Sequence, residues 1–464
     1  MQALEPDAAE RGRLAAQVVD HALAFLAELP DAPTHRPWPS AAEHRLDPEF
    51  SESGRDLADI LGHVGRSVDG PGITTASPRF MGYVPGGGLF HSALGDFLAA
   101  VSNKYSGFAP AAPGAARLEN ATVAWLAEVI GYPQEARGTL TSGGSMANLT
   151  ALVAARESAD ADGGGAVYLP GTAHHCIDKA LRIIGRAAAP RRAIGTDDRH
   201  RMSLDALAEA LERDRADGVR PWLVVASAGT VDTGSVDPLD SIADLCRDHG
   251  AWLHVDGAYG GLFALCDEGR SILKGIERAD SVALDPHKTL FLPYGTGAVL
   301  VRDGHLLSDA FSASADYIRP FVAEDALSPA DLSPELTRHF RGLRLWLPLQ
   351  LAGVAAFRAA QTEKLMLARH FHARLSTVEG FELAPGPDLS IVAFRYLPRT
   401  GSPDAFNERL LRQVQQEGRI FLSDTRIAGA RWLRCAILSF RTHLEHVDEA
   451  VEVLSRAARS LEAV

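Results

Sequence analysis

The chain has 464 residues, 46% of them hydrophobic and 23% charged, an ordinary globular composition on a chain too long for one hydrophobic core. Its net charge of -13 argues against a nucleic-acid backbone or an anionic membrane surface as the main partner, while leaving room for a local site that binds a small anion. Cys176, Cys246, Cys266 and Cys435 show no CxxC spacing, and the N-terminus lacks an apolar signal core, so the expectation is a cytoplasmic protein with reduced thiols, no metal site and no membrane span.

From residue 10 to 29, Leu14, Val18, Ala22, Leu23 and Leu26 recur at helical spacing and predict an amphipathic helix. A proline-rich stretch (PDAPTHRPWPS) follows, then a second helix over 56–68. Residues 78–113 are rich in Gly, Pro and aromatics and read as loops broken by a helix near Leu94. From Gly138 the pattern changes to short apolar strands: GTLTS, GAVYLP, RAIGT, PWLVVASA, AWLHVD, DSVALD and GAVLVRD. Helices over 145–157, 175–184, 203–214 and 239–249 fit between them. That alternation predicts a mostly parallel sheet covered on both faces. The last strand follows its predecessor too closely for a helical crossover, which leaves an antiparallel pairing open. A long helical run over 336–375, kinked at Pro348, precedes a smaller α+β region. Its strands are LSIVAFRYL, RIFLSDTRI and RWLRCAILS, with helices over 404–417 and 444–461. The expected organisation is an N-terminal helical dimerisation segment at 1–88, a large ligand-binding α/β domain at 89–347 and a small α+β domain at 348–464.

In open parallel sheets ligands gather beyond the carboxyl ends of the strands, so the residues there are the candidates. After GTLTS, Gly144 and Ser145 open a helix, where free N–H groups and the helix dipole suit a phosphate. Alone, such a turn is more often a plain connection, and no Walker lysine follows. After AWLHV, Asp256 precedes the small residues Gly257 and Ala258, leaving room for a flat ring whose nitrogen a carboxylate could keep protonated. A strand-end cap is an equal reading of Asp256 taken alone. After DSVALD come Pro286, His287 and Lys288, and a lysine held at a strand end is suited to imine chemistry. After AVYLP come His174 and His175, one of which could stack on a conjugated ring, and after PWLVVASAG comes Thr230.

The ordered set of cradle, base, hydroxyl, acid and lysine resembles the fold-type-I pyridoxal-phosphate enzymes. In detail it is similar to the group II amino-acid decarboxylases, the family of aromatic-L-amino-acid and glutamate decarboxylases. The matches are TSGGSMAN, TAHHCIDKA, AGTVDTG, WLHVDGAYGG and DPHK, with SPRFMGYVP and RHFRGLRLW outside them. They span the chain from about residue 75 to the C-terminus. The resemblance implies a large domain with a seven-stranded, mostly parallel sheet and pyridoxal 5'-phosphate held as an aldimine on Lys288. It further implies Asp256 on the ring nitrogen, His174 (rather than His175) stacked on the ring, Ala258 on the opposite face and Thr230 close by. Gly144, Ser145 and His287 would hold the phosphate, and Phe80, Tyr83, Val84 and Pro85 would lie near the substrate. The implied reaction is decarboxylation of an L-amino acid through a quinonoid, in a homodimer with active sites at the interface. Tyr294 to Thr296 would then serve the neighbouring site.

Six aromatics, Phe80, Tyr83, Phe90, Phe97, Tyr105 and Phe108, crowd one short span, where they suit either an aromatic substrate pocket or a dimer interface. With the resemblance, they favour an aromatic substrate over an acidic or diamino one. One departure stands out: the stretch ALSPADLSPELTRHF before the long helix lacks the tyrosine that protonates the quinonoid in the aromatic decarboxylases. Tyr317 lies upstream of it, and His174 and His339 are the remaining candidates for the donor. An aldehyde synthase is therefore the nearest alternative. A transaminase would use Arg434 to grip the substrate carboxylate; a pyridoxal-binding protein without activity, and a nucleotide-binding α/β protein that uses the Gly-Gly-Ser turn but lacks GxGxxG spacing, are the more distant readings.

Overall fold

The computed structural model describes residues 4–37, 50, 52–159, 165–312 and 327–463. The N-terminal part holds α1 (Ala8–Glu28), β1 (His35–Arg36), α2 (Leu57–Val64), β2 (Gly72–Ile73), α3 (Phe90–Ser102) and α4 (Pro113–Ile130). The central part runs β3 (Arg137–Thr141), α5 (Gly144–Glu157), β4 (Ala166–Pro170), α6 (Cys176–Ile183), β5 (Arg191–Ile194), α7 (Leu204–Ala216) and β6 (Pro221–Ser227). It continues through α8 (Leu239–His249), β7 (Trp252–Gly257), α9 (Asp267–Ile272), β8 (Ser281–Leu284), α10 (Pro286–Thr289), β9 (Gly297–Val301) and α11 (Gly304–Phe311). The C-terminal part is α12 (Gly342–Ala352), α13 (Val354–Leu375), β10 (Phe381–Leu383), β11 (Ile391–Tyr396), α14 (Pro403–Glu417), β12 (Ser423–Ile427), β13 (Ala430–Ala436) and α15 (Leu444–Glu462).

The seven-stranded sheet has the order β3-β9-β8-β7-β6-β4-β5. Only β9 is reversed, pairing antiparallel with β3 and β8, as the short connection before it allowed. Every residue of β6 is buried, which is why PWLVVAS carries no polar alternation. The fold is the fold-type-I α/β architecture expected, with a second sheet, β10-β11-β13-β12, that is antiparallel throughout. That small sheet shares a core with α13, α14 and α15 through Phe371, Phe394, Leu410, Leu433 and Leu454.

Three local expectations need correction. The long helix begins at Gly342 rather than 336, and it breaks at Gly353 (φ 75°), while Pro348 sits inside α12 without ending it. Glycine tolerates the positive φ at that break without a side-chain clash. Helix α4 went unread because its Ala-rich face offers little hydrophobic contrast, although Pro113 at its start and Gly131 (φ 88°) at its end mark it. RIFLSDTRI is a strand only from Ser423, because Phe421 instead forms an isolated bridge to Phe80.

Helix α1 has no buried residue, and its Val18, Val19 and Leu23 are about half exposed. Helix α3 likewise exposes Phe97, Leu98 and Val101. No described helix is long and apolar enough to cross a membrane.

Candidate active site

The ends of β3, β4, β6, β7 and β8 open onto one cavity of about 580 Å3. On its first side, Gly143 accepts the N–H groups of Met146 and Ala147, so the earlier N–H groups of Gly144 and Ser145 stand at the start of α5 as orphan donors. A Cβ on Gly144 would come within 2.8 Å of Asp285 Oδ2 and 3.0 Å of Ala258 Cβ, so the glycine keeps a cradle open.

Lys288 Nζ lies 3.0 Å from Asp285 Oδ2, and that carboxylate is almost wholly buried. Its other oxygen, Oδ1, has no hydrogen-bond partner among the described residues. His287 donates Nδ1–H to the Thr296 carbonyl at 2.7 Å, which leaves Nε2 as its free nitrogen. Burial pushes the His287 imidazole below its ordinary range. Asp256 ends the buried strand β7; its Oδ1 accepts the Ala258 N–H at 3.1 Å and its Oδ2 accepts from Asn148 Nδ2 at 3.3 Å. His174 accepts the Cys176 N–H on Nδ1 at 3.3 Å, which places its own proton on Nε2. Burial lowers the His174 imidazole too, so it is the neutral ring that meets the cavity. Thr230 is buried with its hydroxyl 3.0 Å from that of Thr233.

Of the expected residues, Gly144, Ser145, His174, Thr230, Asp256, Ala258, His287, Lys288, Tyr83 and Val84 all line this cavity. Phe80 and Pro85 do not: Phe80 is buried against Phe421, with ring centroids 5.4 Å apart. Tyr83 adopts φ 51°, and the small sheet holds it there. Its N–H donates to Ser423 Oγ at 3.2 Å, and its carbonyl accepts from Arg434 Nη2 at 3.1 Å. Arg434 is therefore committed to the cavity wall on two of its donors, the second going to Ser423 Oγ at 3.0 Å. Tyr294 lines the cavity of its own chain. His339 pairs with Asp96 outside the cavity lining, and Tyr317 lies outside the described residues. Sequence reasoning missed Asn148, Asp285 and Tyr259 as lining residues. Asn148 sits one helical turn after Ser145, a spacing that could have marked it.

This donor set fits pyridoxal phosphate: free helix N–H groups and an open glycine cradle for a phosphate, a carboxylate for a ring nitrogen, and an amine for an aldehyde. The cradle gives a direct test. Gly144→Ala pushes a methyl group against the oxygen that pairs with Lys288, and overpacking of this kind costs about 1–3 kcal/mol. We expect cofactor retained after dialysis to fall to a minor fraction while the far-ultraviolet circular dichroism stays unchanged.

Residues 39–397 match the family model described as "Pyridoxal-dependent decarboxylase conserved domain". The chain is 35% identical to an aromatic-L-amino-acid decarboxylase of Bacillus atrophaeus over 96% of this chain and 94% of that protein. It is 31% identical to tryptophan decarboxylase TDC1 of Camptotheca acuminata, over 90% and 88% of the two chains. A crystal structure of Oryza sativa TDC with PLP and tryptamine superposes with a TM-score of 0.92 at 25% identity, covering 99% of each chain.

Proposed function

This chain belongs to the pyridoxal-dependent decarboxylase family, and on that premise we propose that its substrate is an aromatic L-amino acid, released as the amine with carbon dioxide. It is a carboxy-lyase that uses pyridoxal phosphate to decarboxylate an amino acid. The observation that carries the residue-level reading is the convergence of Lys288, Asp256 and the α5 N-terminus on one cavity. The aromatic substrate rests on the relatives' specificities and on Tyr83, a half-exposed ring standing at that cavity.

When bound, pyridoxal phosphate supplies an aldehyde that condenses with amines and a ring that accepts the electron pair of the broken bond. The work of the chain is to hold, orient and move protons. Gly144 and Ser145 would hold the phosphate through the orphan N–H groups of α5, with His287 beside the same turn. Asp256 keeps a proton on the ring nitrogen. Lys288 would be the amine that holds the aldehyde, and Asp285, 3.0 Å away, would balance its charge whenever it is free. His174 would stack on the ring, and its Nε2–H, left free by the backbone bond to Nδ1, would be the proton donor on the substrate α-carbon side. Thr230 and Ala258 close the remaining faces, and Tyr83 and Val84 form the substrate wall.

The apolar faces left bare on α1 and α3 support a homodimer in which residues 1–88 wrap the partner, ahead of a cofactor-binding domain at 89–347 and a small domain at 348–464. Cytoplasmic placement completes the reading.

The test is purified protein with pyridoxal phosphate and a panel of L-amino acids, following carbon dioxide, amine, aldehyde and peroxide together. Equal yields of amine and carbon dioxide, greatest for an aromatic substrate, are expected. Aldehyde with peroxide would replace the reading by aldehyde synthesis, and a preference for acidic or diamino acids would overturn the substrate class.

A further inference from the structure

Strand β7 places Trp252, His254 and Asp256 on one face, because alternate residues of a strand point the same way. Ser281 stands opposite His254 in the neighbouring strand β8, and Asn148 reaches the same face from α5. His254 and Ser281 are fully buried, and Asn148 very nearly so. Trp252 Nε1 lies 2.9 Å from Ser281 Oγ, which lies 2.8 Å from His254 Nδ1. His254 Nε2 lies 2.6 Å from Asn148 Oδ1, and Asn148 Nδ2 lies 3.3 Å from Asp256 Oδ2.

The carboxylate end of this series, with a neutral His254, fixes the direction of the bonds in it. An indole N–H can only donate, and a carboxylate can only accept. Asn148 therefore donates from Nδ2 to Asp256 and presents Oδ1 to His254 Nε2, which must carry the ring proton; the neutral ring then accepts on Nδ1 from the Ser281 hydroxyl, whose oxygen accepts from Trp252. The reverse orientation of the asparagine would set its oxygen against the carboxylate. Its second amide hydrogen is engaged as well, on Cys176 Sγ at 3.3 Å. Burial pushes the His254 imidazole down to about 4, so the ring stays neutral and the one-way order holds at ordinary pH.

We infer that Trp252, Ser281, His254 and Asn148 form a one-way donor chain that positions Asp256 to face the cofactor's ring nitrogen. The inference rests on the cofactor reading above and adds positioning residues to it. An N–H donor held at Oδ2 fixes where the carboxylate points, and a carboxylate so aimed is what a ring nitrogen with a proton would meet. With His254 replaced by an apolar ring, Asn148 loses what orients its amide. Asp256 then loses the donor at Oδ2.

The test compares apoprotein binding of pyridoxal phosphate with binding of its 1-deaza analogue, in which a C–H replaces the ring nitrogen, by equilibrium dialysis. In His254→Phe the preference for pyridoxal phosphate over the analogue should fall by about tenfold, the scale of outer-shell effects on a bound group. Affinity for the analogue itself should change by less than about twofold. His254→Gln, which keeps a donor at the Nε2 position, should restore most of the preference. If His254→Phe does not fold, Ser281→Ala carries the same comparison with a smaller loss of preference. Equal weakening toward both ligands, or no change toward either, would show a merely structural role and overturn the inference while leaving the decarboxylase reading intact. A wild type that binds neither ligand would remove the cofactor reading and the inference with it.

Discussion

Lys288→Ala should lower decarboxylation by a factor on the order of 10³ or more, because no other described amine stands beside Asp285 to replace it. The loss should come without loss of the fold, since the lysine side chain is about a quarter exposed and carries little packing. Two outcomes separate attachment from binding. Borohydride treatment before denaturation should leave pyridoxyl label on the wild-type chain and none on the variant. The variant should still bind pyridoxal phosphate reversibly, because the α5 N–H groups and Asp256 remain in place. Labelling of the variant to the wild-type extent would place the attachment at another lysine and undo the assignment of Lys288.

The second large effect concerns stability. Arg338 and Glu119 form an ion pair whose side chains are 0% and 1% exposed. Arg338 also donates to Thr139 Oγ1 at 2.8 Å and to the Leu140 carbonyl at 2.6 Å, tying the segment before α12 to α4 and β3. Glu119 Oε2 and Arg338 Nε find no partner among the described residues, so the pair is incompletely satisfied. Burial raises the Glu119 carboxyl and lowers the Arg338 guanidinium, which is the direction of groups whose lost hydration outweighs their attraction. Removing one partner strands the other, so Arg338→Met should cost about 3–5 kcal/mol in denaturant unfolding. Glu119→Leu with Arg338→Met should recover most of that, since a pair of apolar residues has no charge to bury. A single variant that loses less than about 1 kcal/mol would mean that water reaches the pair.

The central strands were legible because complete burial on both faces leaves an unbroken apolar run, as in β6 and β8. That Gly144, Asp256 and Lys288 would line one cavity was legible for a related reason: each lies within a few residues of a strand end, where topology puts ligands. What escaped depends on contacts that no local pattern carries. Phe80 stands three residues before Tyr83, yet it turns into the small core while Tyr83 faces the cavity. Asp285 was read as the end of a strand, and its pairing with Lys288 follows from a single turn of α10. Helix α4 buries Glu119 among alanines, and a charged residue in that position reads as a solvent face until its arginine, 219 residues away, is seen.

The clasp on Tyr83 joins residues 340 and 351 positions apart in the chain. The strand-end groups of the cavity, from Gly144 to Lys288, come instead from one continuous stretch. Closing a long loop costs conformational entropy before its contacts repay it, so pairings of such separation form late. The strand-end side of the cavity is thus drawn from one stretch of chain, while its wall at Tyr83 is completed only where the small sheet reaches back across the sequence.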